Sequence, residues 1–379
     1  MRQAIHFCGH RPLTAPSKTK GAFFLATIFI VAVVSSFVLN AALGLAHAQQ
    51  RSLTVVSFGG AYGAAQDKHQ VQPFIKESGL PVLFESYAGG VAEIKAQVES
   101  GQVHWDVVDI ETIDLERACA EGLLEIIPHE ILLVGEDGTA ALDDFIPEAV
   151  ENECGIGQMV WSTVFAYNDD TIGAQTPESI ADFFDVDNIP GKRGLRKRPQ
   201  VNLEWALLAD GVSPDELYDH LATPEGQAQA WAKLDSIKDH IVWFDSWSQA
   251  PQLLNDGGAV LVQSAHGRFY DAIAKENKPF TIVWDGHIYD LDAWGIVAGT
   301  PYLDEALDFV AFTTGTTPLA GFEDVAYGPA RRSSLALVDP AVRTHMPSAH
   351  LDIGLQADSL FWADYGESLG ETFNEWLLR

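Results

Sequence analysis

Aromatic rings and carboxylates alternate at several points along this chain, a pairing that suits an organic cation. Phe58 and Tyr62 flank the end of one short apolar run, and Asp109 and Glu111 close another. Trp243, Asp245 and Trp247 stand together, Tyr289, Asp290 and Asp292 precede Trp294, and Tyr327 follows further on. An aromatic face attracts an ammonium group by about 0.5–2 kcal/mol per good contact. A carboxylate adds a charge-assisted hydrogen bond to the same group. One segment has the opposite sign: from Lys192 to Arg198, five residues in seven are basic. It reads either as a solvated loop entering a strand or as a source of guanidinium. In the second case Arg196 or Arg198 reaches a cleft and pairs with an anionic ligand group.

Catalytic patterns are missing. The chain has no G-x-S-x-G elbow, no H-E-x-x-H and no G-x-x-x-x-G-K-[ST]. Gly155-Ile156-Gly157 lacks the third glycine of a dinucleotide-binding turn. The 12 histidines are scattered, His104, His129 and His287 among them, so no metal and no cofactor is expected. Asp290 and Asp292, two apart on a strand, would share a face, which makes a secreted carboxylate-based hydrolase sterically possible. No accompanying motif supports it, and the expectation is a binding protein rather than an enzyme.

The elements that must position these groups alternate between strand and helix. Apolar runs at 53–58, 81–84, 105–110, 160–167, 241–244, 260–263, 281–284 and 294–297 read as strands. Helical patterns fall between and after them, at roughly 63–78, 91–100, 203–210, 224–236, 303–313 and 360–378. This order predicts an α/β fold of mainly parallel sheets flanked by helices, with ligand at the carboxyl ends of the strands. At 379 residues the chain has room for two lobes, and no low-complexity linker separates them. The expected division is 49–162 with about 294–326 for the first lobe, and 163–293 with about 327–379 for the second. A net charge of −30 argues against nucleic acid as a partner.

The N-terminus reads as an address. Arg2, Arg11, Lys18 and Lys20, with no acid among them, precede or enter an apolar run at 22–39, which ends near Ala46-His47-Ala48. Residues 1–48 are therefore expected to be a secretory signal peptide cleaved between Ala48 and Gln49. Export would carry Cys119 and Cys154 into an oxidising compartment, where they are expected to form a disulfide; two buried free thiols are the alternative.

Taken together, Ser57-Phe58-Gly59-Gly60-Ala61-Tyr62, the segments 105–109 and 286–294, and Tyr327-Gly328-Pro329 recur in an order that resembles the spermidine/putrescine-binding periplasmic components of ABC importers. The resemblance spans nearly all of the chain after the signal peptide. It implies a monomeric, two-lobed periplasmic-binding-protein fold that closes on a polyamine and delivers it to a membrane permease. It also implies that Phe58 and Tyr62 wall the ligand, Glu111 makes a polar contact, Asp292 grips an amine and Tyr327 adds a later aromatic contact. Trp243, Asp245 and Asp290 complete the expected ligand-binding set.

The chain departs from that pattern where charge matters most. The basic run stands where polyamine binders carry acids, although Glu204 restores one. Ala265-His266 replaces a tryptophan, Asp290 an aromatic residue, and Arg331 and Arg332 follow the tyrosine segment. These changes admit a second ligand class, an amino-acid-like or carboxylated solute held by Arg196, Arg198 or Arg331.

Overall fold

A computed structural model describes residues 52–379, so the expected signal peptide lies outside the described residues. The strands are β1 (Leu53–Ser57), β2 (Val82–Ser86), β3 (Val107–Glu111), β4 (Gly155–Asn168), β5 (Arg193–Arg196), β6 (Ile241–Phe244), β7 (Leu261–Ala265), β8 (Phe280–Ile296), β9 (Gly328–Pro329) and β10 (Leu355–Gln356). They form one sheet in the order β2-β1-β3-β8-β4-β7-β5-β6, with β9 on β4 and β10 on β8. Both ends are parallel, β1 with β2 and β3, and β5 with β6 and β7. The centre is antiparallel, because β8 pairs with β3 and β4, and β4 with β7.

Two large apolar cores sit on this sheet, with three smaller clusters beside them among the described residues. Val55, Val107, Trp294, Ile296 and Phe309 belong to the first, and Phe165, Leu195, Trp205, Leu207 and Phe373 to the second. The 14-residue β4 and the 17-residue β8 pass through both. Between Met159 and Thr163 the two strands keep one register, and that stretch is bounded by a register shift on either side. A bulge releases ladder constraints and bends the strand, so this pair of shifts brackets the stretch that runs between the two cores.

The sequence predicts separate strands at 281–284 and 294–297, whereas β8 is continuous. Asp285-Gly286-His287 has the composition of a turn, yet β4 offers a partner on both sides of it. Gly286 takes φ 67° and lies so close to the second half that a Cβ there would sit 2.7 Å from Ile180 Cβ. Glycine lets the strand bend here instead of ending.

The second lobe was expected to resume at about residue 327. Instead, Ala330 belongs to the first core, and Arg331 is ion-paired with Asp144 at 2.8 Å. The chain rejoins the second core at Leu355. A disulfide joins Cys119 and Cys154, 35 residues apart with Cα atoms 5.7 Å apart. It ties the helix Thr112–Ala120 to the start of β4, and so braces the element that follows Glu111.

Candidate functional site

A cavity of about 210 Å³ lies where β3, β4, β5 and β8 converge. Glu111 ends β3 and pairs across the ladder with Asp292 of β8; Trp161 of β4 pairs with Asp290. From the far half, Arg196 ends β5, and Arg198 and Glu204 follow it. Both halves and the central strands therefore contribute to one wall.

The backbone after β5 is tied down by side chains. Asn202 Nδ2 donates to the carbonyls of Arg196 (2.9 Å) and Arg198 (2.6 Å), and Gln263 Nε2 donates to Asn202 Oδ1 (3.0 Å). The Arg196 N–H in turn donates to Gln263 Oε1 at 2.9 Å. Within this network Val201 holds φ 70°, a left-handed conformation that costs a β-branched residue on the order of 1–3 kcal/mol.

The two guanidinium groups share one aromatic platform. Arg196 Cζ lies 4.4 Å and Arg198 Cζ 5.4 Å from the Trp247 ring centre. Arg196 Nε donates to the Asp245 carbonyl at 3.1 Å, whereas the buried Nε of Arg198 has no hydrogen-bond partner among the described residues. Burial and the neighbouring Arg196 push Arg198 down to about 10, against the pull of Glu111, Glu204 and Asp290.

The facing carboxylates are pushed the other way. Burial raises Asp290 to about 7, although it accepts from the Leu291 N–H at 2.8 Å. Burial, with Asp114 beside it, also raises Glu111, offset by Arg198 and Arg196. Glu204 rises to about 7, again by burial. Asp292 is 4% exposed and is raised by burial and by Asp109, Glu111 and Asp290. Asp109 is buried too, but it accepts from Ser57 Oγ (2.7 Å), Gln66 Nε2 (2.8 Å) and Gln158 Nε2 (2.8 Å), and burial lifts it only to about 6.

Of the residues singled out in the sequence, Glu111, Asp290, Arg196, Arg198 and Glu204 line the cavity. Asp292 does not; it lies buried opposite Glu111. Tyr62 and Tyr327 have ring centres 5.4 Å apart and stand near Asp109 and Asp292, while Phe58 packs on Tyr87 at 5.4 Å. Three residues are displaced from their expected role. Trp243 packs edge-on against Phe373 and Trp376 in the second core, since strand alternation turns it away from the cavity. Asp245 is exposed and offers Arg196 its carbonyl, not its carboxylate. Arg331 is spent on Asp144 and on the carbonyls of Thr314 and Leu133.

Trp161 and Trp362 line the cavity but were not singled out. Each sits in an apolar strand or helix pattern, where an aromatic reads as core. His266, in place of the expected tryptophan, is buried and accepts from the Ser162 N–H at 3.2 Å. Ser162 Oγ lies 2.9 Å from His287 Nδ1, so both rings grip the central stretch of β4. Burial pushes both histidines down to about 4 and keeps them neutral.

A larger groove of about 740 Å³ runs past Cys119 and Glu148 to Asp358, but no basic side chain and no tryptophan lines it. The smaller cavity sets two guanidinium groups beside a tryptophan ring and in the company of three carboxylates. Among the described residues no helix is long and apolar enough to cross a membrane.

Residues 69–348 match the family described as bacterial extracellular solute-binding protein. The chain belongs to that family. It is therefore the substrate-binding component of an ABC transporter, with a small-molecule ligand and a membrane permease as partner, and not an enzyme. The solute-binding chain is 42% identical over 337 residues to the gamma-aminobutyric acid-binding protein of Pseudomonas aeruginosa, covering 88% of this chain and 93% of that one. The structure of the Atu4243-GABA receptor superposes with a TM-score of 0.75 at 30% identity, over 86% of this chain and 98% of that one. The spermidine/putrescine-binding protein PotD of Streptococcus pneumoniae superposes at 0.71, over 86% and 99%, but at only 14% identity. That likeness carries the periplasmic-binding-protein fold alone. The expected kinship with polyamine binders thus holds for the fold, while the nearer likenesses found are to proteins named for a carboxylated amine.

Proposed function

We propose that this solute-binding protein carries a small zwitterion, an amine with a carboxylate at its other end such as 4-aminobutyrate, to its importer. The observation that supports it is the unpaired Arg198 Nε in the same cavity as the carboxylates of Glu111, Asp290 and Glu204. A ligand carboxylate would take the guanidinium groups above Trp247, where planar donors suit it. A ligand ammonium would take the acidic wall. Asp292, buried opposite Glu111, would act on that wall through space by adding negative potential. A polyamine would instead set a cation against Arg196 and Arg198, which costs affinity. The names of the two relatives point to the same ligand class.

Calorimetry with 4-aminobutyrate, putrescine and spermidine tests this reading. Saturable binding of 4-aminobutyrate, with a melting temperature that rises by mass action, is the expected result. Tighter binding of putrescine or spermidine would refute it.

A further inference from the structure

Glu204 lies in the first turn of the helix Asn202–Ala209 and is 1% exposed. Its Oε1 accepts from Trp362 Nε1 at 2.7 Å and from the Tyr218 hydroxyl at 3.3 Å. Its Oε2 is buried and has no hydrogen-bond partner among the described residues. Three segments distant in sequence thus converge to fix one oxygen and leave the other bare: the helix itself, the helix Leu217–Leu221, and the C-terminal helix Ser359–Leu377. Glu204 and Trp362 line the same cavity as Arg198.

Such an arrangement is expensive for a scaffold. A buried carboxylate with an unused oxygen loses hydration and is repaid only in part, here by the nearby N–H groups of Glu204 and Val201. Arg198 is close enough to influence Glu204 electrostatically, yet no ion pair joins them among the described residues. Asp109 shows how the same chain satisfies a buried carboxylate, with donors on both oxygens. Glu204 lacks a partner that the ligand can supply.

We propose that Glu204 is the group that selects for the ligand's ammonium: Oε2 takes the ammonium, while Trp362 and Tyr218 are positioning residues acting through Oε1. This rests on the zwitterion reading above. The acids and bases around Glu204 are Arg196 at the end of β5, Arg198 from the loop after it, Asp290 from β8, Glu111 from β3, Tyr218 from the helix Leu217–Leu221 and Asp358, which caps the C-terminal helix. Because burial holds Glu204 at about 7, an ammonium arriving at pH 6 displaces its proton to the buffer. Asp290, also at about 7, contributes to the same release.

The test is calorimetry of the wild type, E204Q and W362F with 4-aminobutyrate and with butyrate, which lacks the amine. E204Q should lose about thirtyfold or more in affinity for 4-aminobutyrate. It should bind butyrate within about threefold of wild type and melt no lower when empty. The heat of 4-aminobutyrate binding at pH 6, compared in buffers of different ionisation enthalpy, should show close to one proton fewer released than in wild type. W362F should shift the same preference in the same direction, by less. Unchanged amine preference in E204Q, or an equal loss for both ligands, overturns the proposal; if E204Q does not fold, unchanged preference in W362F does so. Binding of neither ligand by the wild type would bring down the zwitterion reading and this inference with it.

Discussion

Arg193 and Arg198 belong to the same basic run, and burial pushes both down to about 10. Their surroundings are otherwise opposite. Arg193 is fully buried and donates to four carbonyls, those of Phe183 (2.6 Å), Gly191 (3.0 Å), Asp185 (3.0 Å) and Ile189 (2.7 Å). Arg198 lies over Trp247 with its Nε bare. The shifted pKa does not separate the two. What separates them is unspent hydrogen-bonding capacity, and this holds for the opposite charge as well. Asp109 is satisfied on both oxygens, whereas Glu204 and Asp292 each keep a bare one.

The comparison breaks most easily at Arg193. Arg193→Met takes the donor from the carbonyls of Phe183, Gly191 and Ile189, while Asp185 keeps the Ile189 N–H, and should cost about 3–5 kcal/mol of stability in urea denaturation. The fraction that folds should bind 4-aminobutyrate as wild type does. A variant that unfolds like wild type would mean that the carbonyl cage is not what holds this strand.

Arg198→Met should behave in the reverse way. Affinity for 4-aminobutyrate should fall by about 2–4 kcal/mol, roughly thirtyfold to a thousandfold. The empty protein should melt no lower, because a desolvated cation without a partner has been removed. A loss of stability without a loss of affinity would erase the distinction between the two arginines.

The carboxylates sharpen the same contrast at smaller size. Asp109→Asn turns an amide N–H₂ toward groups that already donate, and should cost about 2 kcal/mol of stability. Asp292→Asn should leave the empty protein as stable or more so, since it removes a like charge directly opposite Glu111 on the ladder. Affinity for the amine should drop by about 1–2 kcal/mol as the acidic wall loses a neighbour. Thermal melts and calorimetry on both variants separate the cases; equal effects would not.

Much of the fold was legible because its signals are local. Apolar runs that stop at Gly59 or at Asp109-Ile110-Glu111 form β1 and β3, and the two cysteines expected to pair do so. The path of β8 was not legible, since Asp285-Gly286 has turn composition and only the continuity of β4 carries the strand across it. At the site, the charged residues of the wall were within reach of sequence reasoning. Trp161 and Trp362 were not, because an aromatic in a periodic pattern looks the same whether it faces a core or a cavity. Arg331 could not be told from Arg198 either: Asp144, which occupies it, lies 187 residues upstream.

The smallest expected effect is a pH dependence, and its sign follows from the same division. Glu204 and Asp290 are held at about 7, well above an unfolded carboxylate near 4. The folded state therefore binds their protons more tightly, so their contribution to stability is fully present below about pH 4 and is lost as pH rises through 7. Asp109, held at about 6, adds to this at the acid end. His266 and His287 work against it, because both are pushed to about 4. Their contribution is fully present above an unfolded value near 6.5 and is lost as pH falls through 4. Below 6.5 the two sets oppose each other, but above it the raised carboxylates, Asp292 among them, act without the histidines. Between pH 6.5 and 8 the empty protein should therefore lose on the order of 1 kcal/mol for each of Glu204 and Asp290, read as a falling melting temperature. E204Q and Asp290→Asn should each flatten that fall, and the difference from wild type cancels the background of net charge. Over the same interval affinity for 4-aminobutyrate should rise, since ammonium binding needs these groups ionised. A cavity that grows less stable and binds more tightly as pH rises stores its charge for the ligand; a melting curve flat from 6.5 to 8 in all three proteins would show that it does not.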